Sequence, residues 1–481
     1  MIPLEWMAPL MFSGLIVFML LGYPVAFSLA ALGLTFAFIS IELGFFEPAF
    51  MANLPLRVLG ILSNELLLAI PFFTLMGAIL ERCGLAEDLL EGTGQLFGAV
   101  PGGLAYAVIV VGAVLGAITG TVAASVIAMG VIALPIMMRY GYDMKTATGV
   151  IAASGTITQL IPPSLVLVVL ADQIGRSVGD MYAGALGPSL VQMLLFMLYI
   201  LVISIVKPQW VPALPKSART LHGWALAKRL LWGMVPSIAL IFLVLGTIFL
   251  GLATPTEAGA LGAVGAMALA AIYRRLTWPL VKQSMETTMR ITAMVVFILI
   301  GATVFTLVFQ GVDGGLWIEH QLAALPGGTT GFLIFVAVFV FVLAFFLDFF
   351  EIAFIVVPLL APVAQKLGID LVWFGVLLCV TLQTSFMHPP FGFALFYLRG
   401  IAPREVKSSD IYWGALPWVG LQLVMVAIVI GWPQLVTGFI PKVRTMDPAK
   451  VEIRIEPAFG ERPGDEGRAA REIERALRES K

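Results

Sequence analysis

The sequence predicts an all-α polytopic membrane protein built as an inverted repeat, and two observations support this fold class. First, 60% of the 481 residues are hydrophobic, 12% are charged and the mean hydropathy is +1.00. Polar groups could not cover so much apolar surface in a soluble protein of this length. Second, five residues recur after a constant 227 positions (362 − 135): Pro135, Gly141, Asp143, Pro162 and Pro163 return as Pro362, Gly368, Asp370, Pro389 and Pro390.

The first repeat, 1–206, divides into apolar segments, because a helix needs about 17–25 mostly apolar residues to cross a bilayer. One stretch is too long for a single crossing and is interrupted by Gly and Thr near its middle, which predicts a re-entrant hairpin. Another is interrupted by Pro162 and Pro163, which predicts a broken helix. The first three crossings are 6–22, 24–41 and 65–80. The hairpin is 104–138, the broken helix is 143–170 and the last crossing is 183–206.

The second repeat, 232–441, follows a predicted cytoplasmic linker at 207–231. Each repeat makes five crossings, and its hairpin returns to the side from which it came. Since five is odd, the second repeat enters the membrane from the opposite face. The remaining 442–481 are rich in charge, Pro and Gly and predict a partly disordered tail. The elements of the second repeat are 235–250, 256–272, 291–309, the hairpin 331–363, the broken helix 370–398 and 411–430.

Basic residues predict the orientation. They are concentrated in one set of loops, from Arg82 and Arg139 to Lys407, whereas the opposite set holds Arg57, Arg176 and Lys366. Cytoplasmic loops carry the excess of Lys and Arg. We therefore expect both termini to be periplasmic, with the charged tail as an exception to the pattern.

The two broken helices point to a binding site. Proline removes a backbone donor, and unpaired backbone is tolerated at membrane depth where it is buried in protein or lines a watery cavity. Proline-interrupted segments at matching positions of two halves are typical of the binding site of a secondary transporter. The helix amino termini at such breaks favour an anionic substrate.

The first hairpin tip is rich in small and hydroxyl residues. Thr119 and Thr121 lie at the tip, and Thr156 and Thr158 lie at the facing break. Hydroxyls and freed carbonyls are oxygen ligands of the kind that a hard cation such as Na⁺ requires. The alternative is that these small residues pack helices together, and this alternative is favoured for the glycines nearer the start of the hairpin, Gly112 and Gly116.

The second hairpin tip carries two acids, Asp348 and Glu351, inside an apolar stretch. Intramembrane acids are costly and suggest function: they could bind a cation, relay a proton or pair with a base. They could also cap the hairpin helix. His388 precedes Pro389 at the facing break and could titrate near neutral pH, although a lone membrane histidine is more often a structural hydrogen-bonding group.

Several function classes are excluded by the residues present. The sequence has no nucleophile–base arrangement, no nucleotide-binding loop and three histidines in all. Cys83 and Cys379 lack metal-ligand spacing and fit packing positions. The sequence therefore predicts neither an enzyme nor a nucleic-acid-binding protein, and neither a cofactor nor a transition metal.

Several motifs together resemble the large membrane (M) permease subunit of tripartite ATP-independent periplasmic (TRAP) transporters. The likeness extends from the first crossing to about residue 441. Its most specific parts are Leu68-Ala69-Ile70-Pro71-Phe72-Phe73, the hairpin tip 112–121, Ile161-Pro162-Pro163-Ser164, Gly368-Ile369-Asp370 and Pro389-Pro390-Phe391-Gly392.

The resemblance implies an elevator-type fold of the ion-transporter superfamily in the bacterial inner membrane, and Na⁺ symport of carboxylate-bearing organic anions. It also implies two partners, a small four-span membrane subunit and a periplasmic substrate-binding protein. Mapped by position, a first Na⁺ site comprises Thr119, Gly120, Thr121, Gly155 and Thr156, and a second comprises Asp348, Glu351, Ser385 and His388. The candidates for substrate binding at the two breaks are Thr158, Pro162, Pro163, Thr384, Pro389 and Pro390.

The sequence departs from the family pattern at several of these positions. The first tip usually carries two serines, where this sequence has Thr121 and Val122. A glycine is usual in each break, where this sequence has Thr158 and Ser385, and a threonine is usual before the second Pro-Pro pair, where it has His388. Two other functions stay open: a dicarboxylate or citrate carrier of the same superfamily that needs no binding protein, and a structural membrane anchor subunit.

Overall fold

The computed structural model describes residues 3–440 except 22, 324, 346 and 391, and every regular element in these residues is a helix. The predicted tail, 442–481, lies outside the described residues. The helices of the first half are α1 Leu4–Leu20, α2 Val25–Glu42, α3 Asn53–Leu62, α4 Ala69–Arg82, α5 Leu85–Phe97, α6 Gly103–Thr119, α7 Val122–Arg139, α8 Met144–Thr156, α9 Leu165–Ile174 and α10 Val178–Val206.

The second half repeats this order. A π-helical turn, Ile352–Val356, joins two of its helices, α16 and α17, into one continuous arm. The helices are α11 Gly223–Phe249, α12 Pro255–Ile272, α13 Trp278–Gly311, α14 Gly314–Ala323, α15 Gly328–Leu343, α16 Phe349–Glu351, α17 Val357–Lys366, α18 Leu371–Gln383, α19 Phe393–Ile401, α20 Ser408–Gly431 and α21 Gln434–Thr437.

The prediction of an all-α polytopic membrane protein is confirmed. Within the described residues, eight helices are long and apolar enough to cross a bilayer, or nine if a bent pair is counted as one span. That pair, Pro48–Leu62 and Glu65–Arg82, bends by 46°. Several shorter apolar helices, including α6, α9 and α15, lie beside these spans, as expected where segments are interrupted inside the membrane.

The repeat is visible in local backbone chemistry as well as in helix order. Helix α8 begins after Asp143, whose carboxylate accepts a hydrogen bond from Thr146 N at 3.0 Å. Helix α18, 227 residues later (371 − 144), begins after Asp370, which accepts from Trp373 N at 2.8 Å. Both helices end in a 3₁₀ turn, Ile157–Gln159 and Thr384–Phe386. An aspartate therefore starts the same element twice, and a 3₁₀ turn followed by a Pro-Pro pair ends it twice.

Three parts of the chain differ from the sequence-based expectation. The linker predicted at 207–231 is helical from Gly223 onward, and Arg229 in this helix pairs with Asp88 at 2.8 Å and with Glu91 at 2.7 Å on α5. Helix α3 lies in a stretch to which no element was assigned. Helix α13 starts at Trp278, well before the predicted crossing at 291–309. Apolar length finds the membrane-embedded part of a helix and misses its polar extensions.

Close helix crossings are made possible by glycines. An added Cβ at Gly112 would lie 2.6 Å from Ser154 Cβ, and one at Gly116 would lie 2.7 Å from Thr158 Cγ2. The expectation that these two glycines pack α6 against the first broken helix is confirmed. Gly77 on α4 is similarly pressed against the backbone of Thr119. The first hairpin therefore contacts both the broken helix and α4.

We expect Gly414→Ala on α20 to lower the stability of the protein. Its new methyl group would overlap the carbonyl oxygen of Lys145 and lie 2.9 Å from Thr148 Oγ1, and overpacking of this kind costs about 1–3 kcal/mol. Gly420→Ala on the same helix is the matched control, because nothing lies within 4 Å of its added Cβ. Thermal unfolding in detergent compares the two variants, and equal melting temperatures would contradict the close crossing.

Candidate functional site

A cavity of about 300 Å³ lies between the two hairpin tips; we call it the central cavity. Residues from both hairpins, from both broken helices and from α13 line it. The residues are Gly120, Thr121, Val122, Ala123, Gln159, Leu165, Val166, Ile291, Met294, Asp348, Phe349, Phe350, Phe386, Phe393 and Tyr397.

Four described helices begin at the central cavity, because α7, α9, α16 and α19 each contribute their first one or two residues to its lining. The first-turn N–H groups of a helix lack intrahelical partners and form the positive end of its dipole. Among the residues that the structure describes, no side chain caps α7 or α19, whose N-cap residues are Thr121 and Gly392. Ser164 caps α9 and Asp348 caps α16, so the uncapped first-turn donors at the cavity are those of α7 and α19. Such donors favour an anion.

The first tip reverses direction at Gly120, which has φ +62 and donates its N–H to Gly116 O at 3.0 Å. Thr121 follows in an extended conformation and starts α7. A Cβ at Gly120 would lie 4.0 Å from Pro163 O and 3.8 Å from Leu165 N. The structure therefore brings this tip against the break in the first broken helix, and Gly120 and Thr121 line the central cavity.

The other residues proposed for a first Na⁺ site are buried and already have partners. Thr119 Oγ1 lies 3.0 Å from Ser125 Oγ. Thr156 Oγ1 donates to Ala153 O at 2.9 Å and accepts from Gln422 Nε2 at 3.0 Å. Gly155 packs closely against Val126 of α7. An ion at this position would share these hydroxyl oxygens with their present partners or use backbone carbonyls.

The two acids of the second tip form a reciprocal cap. Asp348 Oδ1 accepts from Glu351 N at 2.9 Å, and Glu351 Oε2 accepts from Asp348 N at 3.0 Å. This is a capping box that starts α16. Among the described residues, neither acid has a Lys, Arg or His within 4.0 Å. Asp348 also lines the central cavity, so one side chain both caps a helix and faces the candidate site.

Ser385 and His388 make no hydrogen bond to Asp348 or Glu351 in the part of the chain that the structure describes. Ser385 Oγ donates to Leu382 O at 2.6 Å. The His388 ring lies between Phe341 and Phe345, with centroid distances of 4.2 Å to each. Of the four residues proposed for the second site, Asp348 and Glu351 therefore form a hydrogen-bonded pair, whereas Ser385 and His388 each contact other residues.

The six residues proposed for substrate binding do not line the central cavity. Pro162 and Pro163 are buried, Pro390 is exposed, and Thr384 Oγ1 donates to Thr381 O at 2.6 Å. Thr158 is buried against Gly116, and Pro389 is half-buried. The peptide bonds at 162–163 and 389–390 are both cis.

Gln159 is a cavity residue that the sequence analysis did not select. Its side chain is 1% exposed, lines the central cavity, and has no hydrogen-bond partner for Oε1 or Nε2 among the described residues. An unpaired buried amide costs about 1–3 kcal/mol, and a polar ligand in the cavity would satisfy it. The signal in the sequence is a lone glutamine in apolar surroundings just before Pro162. Tyr397 also lines the cavity and carried no such signal.

Comparison with known proteins agrees with this arrangement. The family described as "Tripartite ATP-independent periplasmic transporter, DctM component" matches residues 12–435. The chain is 30% identical over 386 residues to the C4-dicarboxylate TRAP transporter large permease protein DctM of Pseudomonas aeruginosa, covering 80% of this chain and 88% of that protein. It is 27% identical to the sialic acid TRAP transporter large permease protein SiaM of Vibrio cholerae, covering 86% of this chain and 93% of that protein.

Among solved structures, the Alcanivorax borkumensis YdaH transporter has a TM-score of 0.56 and 17% sequence identity, covering 81% of this chain and 89% of that one. That likeness concerns the fold alone. The family match over most of the chain and the 30% identity to a curated relative establish the relationship by sequence. The chain belongs to the DctM family of tripartite ATP-independent periplasmic transporters, the large permease proteins.

Proposed function

We propose that this protein is the large permease subunit of a Na⁺-coupled importer of carboxylate-bearing organic anions in the bacterial inner membrane. The observation that carries the proposal is the convergence of four helix amino termini on the central cavity. The positive dipole ends of these helices and the uncapped first-turn donors of α7 and α19 favour a carboxylate. Two similar permeases are named for C4-dicarboxylate and for sialic acid, which supports an organic acid as the substrate.

Coupling to a cation is supported by the charge at the cavity. Asp348 lines a space that is otherwise suited to an anion. The Asp348 carboxylate and an anionic substrate would repel each other strongly at short range in a low-dielectric site. A cation bound at the acidic tip would relieve this repulsion and would make substrate binding depend on the ion. The hydroxyl-rich first tip offers neutral oxygen ligands of the kind that Na⁺ accepts.

An elevator movement is supported by the packing. The hairpins and broken helices contact one another around α8 and α18, whereas α2 packs on α13 and α4 packs on α12. We propose that the first group moves across the membrane against the second, with the contact between Gly77 and Thr119 at their boundary. The substrate would arrive from a periplasmic binding protein, and a small four-span membrane subunit would complete the transporter.

The distribution of Lys and Arg between the two sets of loops supports an orientation in which both termini are periplasmic.

We expect C4-dicarboxylate uptake into proteoliposomes containing all three components to require an inward Na⁺ gradient. Thr119→Val and Thr156→Val keep side-chain size and remove an oxygen ligand, so each is expected to raise the Na⁺ concentration for half-maximal uptake by about tenfold. Thr247→Val is the matched control, because Thr247 Oγ1 bonds its own helix at Leu243 O, 2.8 Å away, far from the tips in sequence. Uptake that follows a proton gradient and ignores Na⁺ would overturn this coupling.

Two other functions are separated by related measurements. A carrier that needs no binding protein would take up dicarboxylate when this chain is reconstituted alone. A structural anchor would tolerate replacement of the polar tip residues with no loss of transport by the assembled complex. We favour the binding-protein-dependent importer because the family to which the chain belongs is described as a periplasmic transporter of tripartite composition.

A further inference from the structure

A second polar cavity, of about 490 Å³, lies beside the central cavity; we call it the outer cavity. Helices α3, α9 and α13 and the π-helical arm of the second hairpin surround it. Its polar lining residues are Arg57, Asn64, Asp172, Gln173, Thr303 and Thr306. Arg57 is one of the three basic residues on the face that the sequence predicts to be periplasmic.

The two cavities follow the same three elements, which are α9, α13 and the π-helical arm of the second hairpin. Along α9 the lining passes from Val166 in the central cavity to Asp172 in the outer one, and along α13 it passes from Met294 to Leu299. At a rise of about 1.5 Å per residue, these steps are roughly 8–9 Å. The buried apolar residues Val169, Val295, Ile298 and Ala353 lie between the two sets in sequence. The outer cavity therefore lies further along the same helices than the central cavity, and a layer of apolar residues separates the two.

The charged groups of the outer cavity are not equally satisfied. Both carboxylate oxygens of Asp172 accept hydrogen bonds, from Asn64 Nδ2 at 2.7 Å and from Gln173 Nε2 at 2.8 Å. The exposed Arg57 guanidinium is 3.4 Å from the neutral amide oxygen of Gln310. No carboxylate lies within 4.0 Å of it among the described residues. The planar guanidinium is thus a cation whose geometry suits a carboxylate.

We propose that the outer cavity is a second anion-binding site, in which Arg57 receives a carboxylate before it reaches the central cavity. The other polar groups of the cavity are neutral except for Asp172: hydroxyls at Thr303 and Thr306, and the amides of Asn64 and Gln173, which donate to Asp172. The position of this site on the import route rests on the proposed function. Its preference for an anion does not, and the two can be tested separately.

The anion preference is tested with Thr303→Cys in the full chain. The native cysteines, Cys83 and Cys379, are 1% and 0% exposed, so the new thiol is the accessible target. Its labelling rates are measured with the anionic sulfonatoethyl and the cationic trimethylammonioethyl methanethiosulfonates, each relative to a free thiol. We expect the anionic reagent to be favoured by roughly threefold or more at low salt, and the preference to shrink at high salt.

Arg57→Gln in the Thr303→Cys protein is expected to abolish this preference, whereas Arg57→Lys is expected to retain most of it. Arg176→Gln is the matched control, because Arg176 is exposed on the same predicted face and does not line the outer cavity. Equal labelling by the two reagents, a cationic preference set by Asp172, or an anionic preference that survives Arg57→Gln would each overturn the proposal.

The route is tested by uptake. With the reconstituted transporter, Arg57→Gln is expected to raise the KM for a C4-dicarboxylate by about tenfold at low salt and to leave kcat unchanged. An unchanged KM would remove Arg57 from the import route. If the unaltered protein transports no carboxylate, the proposed function fails, while the labelling result still decides whether the outer cavity binds anions.

Discussion

Asp348→Asn and Glu351→Gln are each expected to reduce uptake by about tenfold or more, with normal folding and membrane insertion. Asn caps helices about as well as Asp, and Gln can replace Glu in a capping box. Both variants can therefore keep the bonds that join the two residues, at 2.9 and 3.0 Å. The amides lose the negative charge that attracts a cation, and the expected tenfold effect corresponds to a loss of about 1.4 kcal/mol in ion binding.

The measurement is the initial uptake rate per folded transporter, across a Na⁺ titration. Asp370→Asn is the matched control, because Asp370 caps α18 through a 2.8 Å bond to Trp373 N and does not line the central cavity. This control is expected to transport normally. Wild-type rates with an unchanged Na⁺ response in both tip variants would show that the acids serve only as a cap.

Gln159→Leu is expected to separate transport from stability. The amide has no partner in the described chain, so its removal takes away a desolvation cost and should leave the melting temperature equal or higher. If the amide hydrogen-bonds the substrate, kcat/KM should fall by about tenfold or more. Gln159→Glu should reduce it as well, because a second negative charge would face the anion.

Gln192→Leu is the matched control for this prediction. Gln192 on α10 is also fully buried, and its amide atoms also have no hydrogen-bond partner within the described part of the chain, yet it does not line the central cavity. Its replacement is expected to preserve stability and uptake. Loss of uptake in both variants would mean that buried amides support the fold in general, and normal uptake by Gln159→Leu would remove this residue from the substrate site.

Local chemistry explains which parts of the fold could be predicted. Asp143 and Asp370 start equivalent helices by accepting backbone hydrogen bonds, and Gly120 takes a left-handed conformation at the first tip. Prolines end the regular helix after each 3₁₀ turn. These effects act within a few residues, so they can be read without knowledge of the fold. The start of α11 lies in a polar stretch before the predicted crossing, where Arg229 pairs with Asp88 and Glu91, so apolar length does not reveal it.

The candidate site was predicted less completely than the fold, for a reason visible at the first break. Thr158 packs against Gly116 of α6, whereas the next residue, Gln159, lines the central cavity. The rotation of a short 3₁₀ turn about its own axis depends on the helix packed beside it. A sequence pattern therefore identifies the break, whereas the side chain that reaches the cavity depends on tertiary contacts.

The sequence by itself determined a repeated membrane protein with two hairpins, two broken helices and acids at one tip, because hydropathy, proline and glycine act over short range. The tertiary structure decided that four helix amino termini meet at one cavity, that Asp348 caps a helix while facing that cavity, and that Arg57 stands beside a second one. These features join residues from both halves of the chain, so they depend on how the helices pack against one another.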